Sequence, residues 1–290
     1  VFPLAKKISY LEWWFSTDAE EYDFDDDGWC VYDDKKRTSL RYRNLPVALE
    51  LSESDFIVSP TKWQRDQLPD IFCSRTEIIH EGVDTDFFVM NTSWRPAKKM
   101  RLTYATRGME PMRAFPQFVE SLDSILSHDS NLEVYVAGSD RVAYGSTLPE
   151  QGSFGLWAKE KLDKWIKLDR VKFVGHLETV QYARLLKSSH VHFYLTRPFI
   201  ASWSLLDAMS TGCCLVCSDV KPVRELAHPV ATFWADHRKP LSLVESAIAA
   251  LSLDSNRRDQ LGKMHRERAL ESFSRKDSLA SWSKLLALQH

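Results

Sequence analysis

The sequence lacks an excess of charge of either sign. Across 290 residues, 38 Lys and Arg face 40 Asp and Glu, a formal net charge of −2. That balance argues against a general nucleic-acid binder and against an acid-coated solvating tail. A membrane span is lacking too, since no uncharged apolar run approaches the roughly 18–20 residues it would need. The opening stretch Val1–Tyr10 sets Lys6 and Lys7 beside a broken apolar run, which is no secretory signal. There is no internal repeat and no low-complexity tract. Cysteine is scarce: Cys30, Cys73, Cys213, Cys214 and Cys217 are five, an odd number with three in one short stretch. This excludes a dispersed disulfide framework and fits a reducing, cytoplasmic setting. Cys214 and Cys217 have redox spacing but lie in an apolar run after Gly212, not at a helix start. They read as small apolar residues of a buried strand.

What is present is ordinary for a folded globular chain: 44% hydrophobic and 27% charged residues. At about 100–200 residues per domain, the length suits one large domain or two modest ones. Aromatic content is high at 12%, with ten Trp, and the chain starts at Val1 rather than Met.

From Leu102 onward, short apolar runs alternate with longer amphipathic ones. Strands are expected at Leu102–Ala105, Leu132–Ala137, Val171–Val174, Val191–Leu195 and Leu215–Cys217. Helices are expected at Phe115–Ser127, Phe154–Leu168, Thr179–Lys187 and Trp203–Thr211, the first presenting Phe115, Phe118, Val119, Leu122, Ile125 and Leu126 on one face. Such alternation implies right-handed crossovers and a parallel sheet covered on both faces. The tail from Leu241 is helical, closing with an amphipathic helix over Asp277–His290. The first third shows about three strands (Lys7–Glu12, Phe56–Val58, Glu77–Ile79), with helical patterns at Thr38–Ser52 and Thr61–Leu68. Three strands are too few for a complete doubly wound domain. Met90–Lys99, with Asn91, Ser93 and Pro96, is the best linker. The predicted organisation is a partial N-terminal α/β domain (1–94), a complete C-terminal Rossmann-like domain (95–274), and a last helix (275–290) packing back on the N-terminal part.

Ligands of parallel α/β sheets sit beyond the carboxyl ends of the strands. Arg107 and Arg113 follow the first strand of the complete domain. Gly138, Ser139 and Asp140 follow the second, Gly175 and His176 the third. After Leu195 the chain reads Thr196-Arg197-Pro198-Phe199-Ile200-Ala201-Ser202-Trp203-Ser204, then a helix carrying Asp207. Arginine forks bind phosphate, a Ser-rich helix start offers N–H groups to an anion, and an acid one turn inside can accept ribose hydroxyls. Together these describe a nucleotide-diphosphate pocket. Taken singly, each is weak, because arginines after a strand more often face solvent.

These residues resemble a family. Arg107…Arg113, Val171-Lys-Phe-Val-Gly175, and Phe199–Gly212 leading to Cys217-Ser-Asp219…Pro222-Val-Arg-Glu225 look like the donor half of retaining glycosyltransferases of family 4, which have the GT-B fold. In the first third, Asp55-Phe-Ile-Val-Ser-Pro-Thr61 with Trp63-Gln-Arg65, and Ile78-Ile-His-Glu-Gly-Val-Asp84 with Phe87, are similar to the end of that fold's N-terminal domain. The resemblance implies transfer of a sugar from a nucleotide-diphosphate donor to a saccharide or lipid-linked acceptor, with retention and without metal or other cofactor. It implies no nucleic-acid partner and leaves peripheral membrane contact open. Arg107, Arg113, Ser202, Trp203 and Ser204 would meet the diphosphate. Asp207, Gly175 and His176 would hold ribose and base, and Gly138, Ser139, Arg197 and Phe199 would line the pocket. Three departures stand out. The first acid of the family's paired-acid motif falls on Phe199, the second is Asp207 rather than Glu, and the opening strands with their Gly-rich loop do not precede Val1. No nucleophile is assigned. The alternative is a truncated or non-catalytic relative that binds a nucleotide or a protein partner without turnover, and a sugar-nucleotide epimerase of the same fold is more distant.

Two other patterns compete. Asp23-Phe-Asp25-Asp-Asp27-Gly28, with Asp34 twelfth, matches calcium-loop spacing, but Asp stands where a bidentate Glu belongs. A solvated acidic loop is the better reading. His80-Glu81 lacks the second His of a helical zinc site and reads as a strand end near an interdomain cleft. Trp13, Trp14 and Trp29 beside the acidic loop are core or interface residues, or a stacking surface for an acceptor sugar.

Overall fold

A computed structural model describes residues 5–16, 34–91, 93, 95–96, 98–144, 152–200 and 202–287, with the side chains of Lys36 and Arg37 not among them. The calcium-like run apart from Asp34, together with Cys30, Trp29 and Ala201, lies outside the described residues.

The N-terminal unit contains β1 (Ile8–Tyr10), α1 (Asp34–Tyr42), α2 (Asn44–Ser52), β2 (Phe56–Ser59), α3 (Lys62–Arg65), α4 (Asp70–Cys73) and β3 (Thr76–Ile78). Its strands form a parallel sheet in the order β1-β2-β3, with Ile8 opposite Phe56 and Ile57 opposite Thr76. The single helix expected over Thr38–Ser52 is two, turned at Arg43. The helix expected at Thr61–Leu68 shrinks to α3, after which Gln67 and Leu68 bond to carbonyls three residues back and Pro69 follows.

The second unit runs β4 (Met100–Gly108), α5 (Phe115–His128), β5 (Leu132–Ser139), α6 (Phe154–Lys161), α7 (Asp163–Lys167), β6 (Val171–Gly175), α8 (Thr179–Ser188), β7 (Val191–Tyr194), α9 (Trp203–Ser210), β8 (Leu215–Ser218), α10 (Lys221–Leu226), β9 (Thr232–Ala235), α11 (Pro240–Leu251), α12 (Ser255–Ser272) and α13 (Arg275–Ala287). All six strands are parallel, in the order β6-β5-β4-β7-β8-β9. This is the doubly wound order, whose direction of travel reverses between β4 and β7. At that centre Tyr104 lies opposite both Val136 and Phe193. Its ring stacks on Phe118 of α5 at 4.4 Å, and Phe118 meets Phe193 edge-on. The six apolar residues expected on one face of α5 are all buried.

The helix expected over Phe154–Leu168 breaks at Leu162, whose ψ of 11° leaves the helical range. The break swings Trp165 into the core, where its indole donates to Asp123 at 2.8 Å and Arg170 lies over the ring. Neither β9 nor α10 was expected. Each is short, and β9 is held by its pairing with β8. Cys213, Cys214 and Cys217 are free, buried at or beside β8, and burial pushes the Cys213 and Cys214 thiols up to about 12, where they are inert.

The two units are laced together. On α13, Leu285 and Trp282 pack on Ile8, Tyr10, Val58 and Ile79 of the small sheet. The Val83 amide donates to the Phe273 carbonyl at 2.8 Å, and the Arg275 amide returns a bond to Val83. Glu225 of α10 accepts from the amides of Lys62 and Trp63, both at 2.7 Å, capping α3 from the other unit. Among the described residues no helix is long and apolar enough to cross a membrane.

Candidate active site

At the reversal point between β4 and β7, a cavity of about 660 Å³ opens between the two units. It sits beyond the strand ends, where such folds hold ligands. Its size suits a small organic ligand.

One wall is basic. Arg107 leaves the end of β4, and Arg113 follows the single turn Pro111–Arg113. Ala114 then adopts a left-handed φ of 47°, which reverses the chain into α5. This conformation strains a residue with a Cβ and persists only where its surroundings impose it. The imposing contacts surround Arg113: its carbonyl accepts from the Tyr104 hydroxyl at 2.9 Å, its guanidinium donates to Thr196 Oγ1 at 2.9 Å, and it lies over the Phe199 ring. Arg141, after β5, adds a third guanidinium to the wall. Behind it Glu110 is buried and accepts from the amides of Ala143 and Tyr144, tying the β4 and β5 loops together. Burial holds its carboxyl above the usual range, against the pull of those amides, Arg113 and Arg107.

The opposite wall is the start of α9. Ser202 caps this helix without a side-chain bond to it; its hydroxyl instead pairs with that of Ser204 at 2.8 Å. One turn in, Asp207 faces the cavity, and burial raises its carboxyl to about 7 despite the distant pull of Arg275. His176 closes the β6 side.

The cavity therefore gathers Arg107, Arg113, Gly138, His176, Ser202, Trp203, Ser204 and Asp207 from the residues the sequence singled out. Ser139, Gly175, Arg197 and Phe199 are not on its lining. Arg197 is buried, its amide donating to Met112 at 2.9 Å. Phe199 is buried behind the wall, its ring 4.6 Å from Trp13 and 5.0 Å from Tyr144, so this side chain supports Arg113 from behind.

Sequence reasoning missed most of the N-terminal contribution: Tyr10, Glu12, Pro60, Gln64 and Glu81. The carboxylate of Glu81 accepts from the Tyr10 hydroxyl at 2.9 Å and from the indole N–H of Trp203. Burial raises its pKa. The strand-end rule, applied to β1 and β3 as well as to the larger sheet, points to Tyr10 and the His80–Glu81 pair.

Two parallel α/β units facing each other across a cleft at their strand ends define a protein of the GT-B class. The profile of the family described as "Glycosyl transferase-like" matches residues 113–282, more than half of the chain, and that of the "Glycosyl transferase family 4 group" matches residues 1–88. The chain belongs to this family of glycosyl transferases. Solved structures agree on the fold. The sucrose-phosphate synthase of Thermosynechococcus elongatus is 17% identical, with a TM-score of 0.69 over 88% of this chain and 62% of its own. The Anabaena protein HepE, solved with UDP and glucose, is 13% identical, with a TM-score of 0.69 over 97% of this chain and 71% of its own. A glycosyltransferase from Rickettsia africae is 13% identical, with a TM-score of 0.68 over 89% and 68%. The chain thus spans about three-fifths to seven-tenths of the length of these structures. No curated protein sequence matches it.

Proposed function

We propose that this chain carries the donor site of a cytoplasmic glycosyltransferase that moves a sugar from a nucleotide diphosphate to a saccharide or lipid-linked acceptor. The observation that carries the reading is the joining of Arg107 and Arg113 with the start of α9 and Asp207 in one cavity at the sheet's reversal point. As the bond from the anomeric carbon to the phosphate breaks, its electron pair stays on the diphosphate. Two guanidinium groups and the positive end of α9 are already aimed at that growing charge, which is the arrangement that lowers such a barrier. Their charge supports a metal-independent reaction. Asp207 accepts the ribose hydroxyls, and His176 lies on the side of the base. Retention at the anomeric carbon follows the resemblance to family 4.

One observation favours a second reading, nucleotide binding without turnover. Phe199 fills the first acidic position of the family's motif and is packed among aromatic rings. A thermal-shift panel of UDP, GDP, ADP and TDP, with and without EDTA, tests the site, because a ligand bound only by the folded state raises Tm. UDP leads the panel because HepE was solved with it. One diphosphate should raise Tm equally with and without EDTA, and Arg107→Ala should weaken that diphosphate far more than its nucleoside. Equal losses for the two would remove Arg107 from the phosphates, and no shift with any diphosphate would overturn the donor site. Hydrolysis or transfer of the matching nucleotide-sugar then separates the two readings.

A further inference from the structure

We propose that Glu81 is the residue of this site that reads the hydroxyl groups of the transferred sugar. The inference rests on the glycosyltransferase reading of the cavity and concerns a residue that no part of that reading uses.

Glu81 follows β3, yet its place is set by the other unit. Gly82 has a φ of +76°, and a Cβ there would lie 2.7 Å from the Arg275 backbone. Ser278 donates to the His80 carbonyl at 2.5 Å, and Asp84 pairs with Arg275 at 3.0 Å. The segment is clamped on the start of α13, so the carboxylate keeps a fixed relation to the domain that carries α9. Its two oxygens accept from Tyr10 and from the indole of Trp203, the first residue of α9.

That position is where the sugar must lie. A diphosphate seated between the arginines and the start of α9 projects whatever it carries past Trp203, into the part of the cavity that Tyr10 and Glu81 line. The other buried acids have different employment. Glu110 is turned to the amides of Ala143 and Tyr144, and Asp207 sits a turn deeper in α9. Among the described residues Glu81 makes no ion pair, and both of its hydrogen-bond donors are neutral. A carboxylate accepts about four hydrogen bonds, and two of these sites are taken. Hydroxyl groups, which are neutral donors, are what such a half-buried anion lacks after losing water; a phosphate or carboxylate on the same ligand would be repelled. Mutual charge also separates the cavity's ends, with arginines for the diphosphate and an anion for the polyhydroxyl group.

Calorimetry compares UDP with UDP-glucose and GDP with GDP-mannose on the wild-type chain and on Glu81→Gln, a variant whose amide can still accept from Trp203 and donate to the Tyr10 oxygen. The diphosphate affinities should stay within about twofold, and the affinity of the nucleotide-sugar that binds should fall about tenfold or more, the loss of a hydrogen bond to a charged group. Equal losses for diphosphate and nucleotide-sugar would make Glu81 a brace for α9, and no loss would remove it from the sugar; either overturns the inference and leaves the donor site standing. A wild-type chain that binds neither diphosphate overturns both. Singly deoxygenated nucleotide-sugars on the wild-type chain need no mutation: at least one position should cost a similar factor, and indifference at every position overturns the assignment to Glu81.

Discussion

Asp207 carries a conflict between stability and binding. Its carboxyl is raised to about 7 because burial penalises the anion. In the ligand-free fold it is a neutral acid below that pH, whereas the unfolded chain ionises it near 4. A raised folded value for an acid contributes stability that is complete below the unfolded value and lost as pH rises through 7. Above pH 7 the bare site therefore holds an ionised acid at a cost on the order of a few kcal/mol. That anion is the better acceptor for ribose hydroxyls, so nucleotide binding should strengthen between about pH 6 and 8. Asp207→Asn should raise Tm at pH 8 in the free protein, flatten this pH dependence, and weaken the nucleotide about tenfold at pH 8. Parallel Tm and calorimetric titrations check it; a variant that keeps the wild-type pH slope would place the titrating group elsewhere.

The elements that present the site depend on close backbone contacts. Helix α12 crosses the end of α9 at Gly262, where an added Cβ would stand 2.1 Å from the Gly212 carbonyl oxygen, and that oxygen also accepts from Arg95. No rotamer relieves a clash with backbone. Gly262→Ala should cost at least the roughly 1–3 kcal/mol typical of overpacking, seen as a lower Tm. Because α9 must give way, nucleotide affinity should fall with it; an unchanged Tm would mean that the helices separate freely. Contacts of this kind explain what the sequence could and could not convey. The face of α5 was legible because a 3.6-residue period is a local property of the chain. The strand-end residues Arg107, Arg113 and Asp207 were legible because a parallel sheet places its ligand site by topology alone. The break at Leu162 was not, since it exists to bring Trp165 to Asp123, 42 residues away. Nor was Glu81, whose position comes from Gly82 and α13, nearly 200 residues downstream. Phe199 read as pocket lining by spacing, and only packing shows that it turns to Trp13 and Tyr144.

At the scale of the whole molecule, the small sheet cannot stand alone. Its own core cluster holds five fully buried residues, Leu11, Leu51, Ile57, Leu68 and Phe72, and three strands with so little cover are marginal. The remaining cover comes from α13 and the cap on α3 from Glu225. The two units should therefore melt in one transition, with tryptophan fluorescence and far-ultraviolet dichroism coinciding. Acid is the sharpest probe of that transition. His192 is fully buried between β4 and β7, bonded to Thr103 Oγ1 at 2.8 Å, and burial lowers its pKa to about 3. His265 is lowered to about 3, and His190 to about 4 by burial and by Arg95, Arg258 and Arg101. Each stays neutral in the fold while the unfolded chain takes up a proton near pH 6.5. The unfolded state then binds more protons, so stability falls as pH drops below about 6.5 and keeps falling to about 3–4. Asp207, protonated in the fold over the same range, opposes this with one proton, so the total slope is a poor test. The difference between variants is a good one. His192→Gln should unfold at lower denaturant throughout, but its stability should fall less steeply with acid, by about 1.4 kcal/mol per pH unit between pH 5 and 6, the loss of one linked proton. Denaturant melts at half-unit pH steps on both proteins would read this directly, and parallel curves would mean that His192 is already charged in the fold.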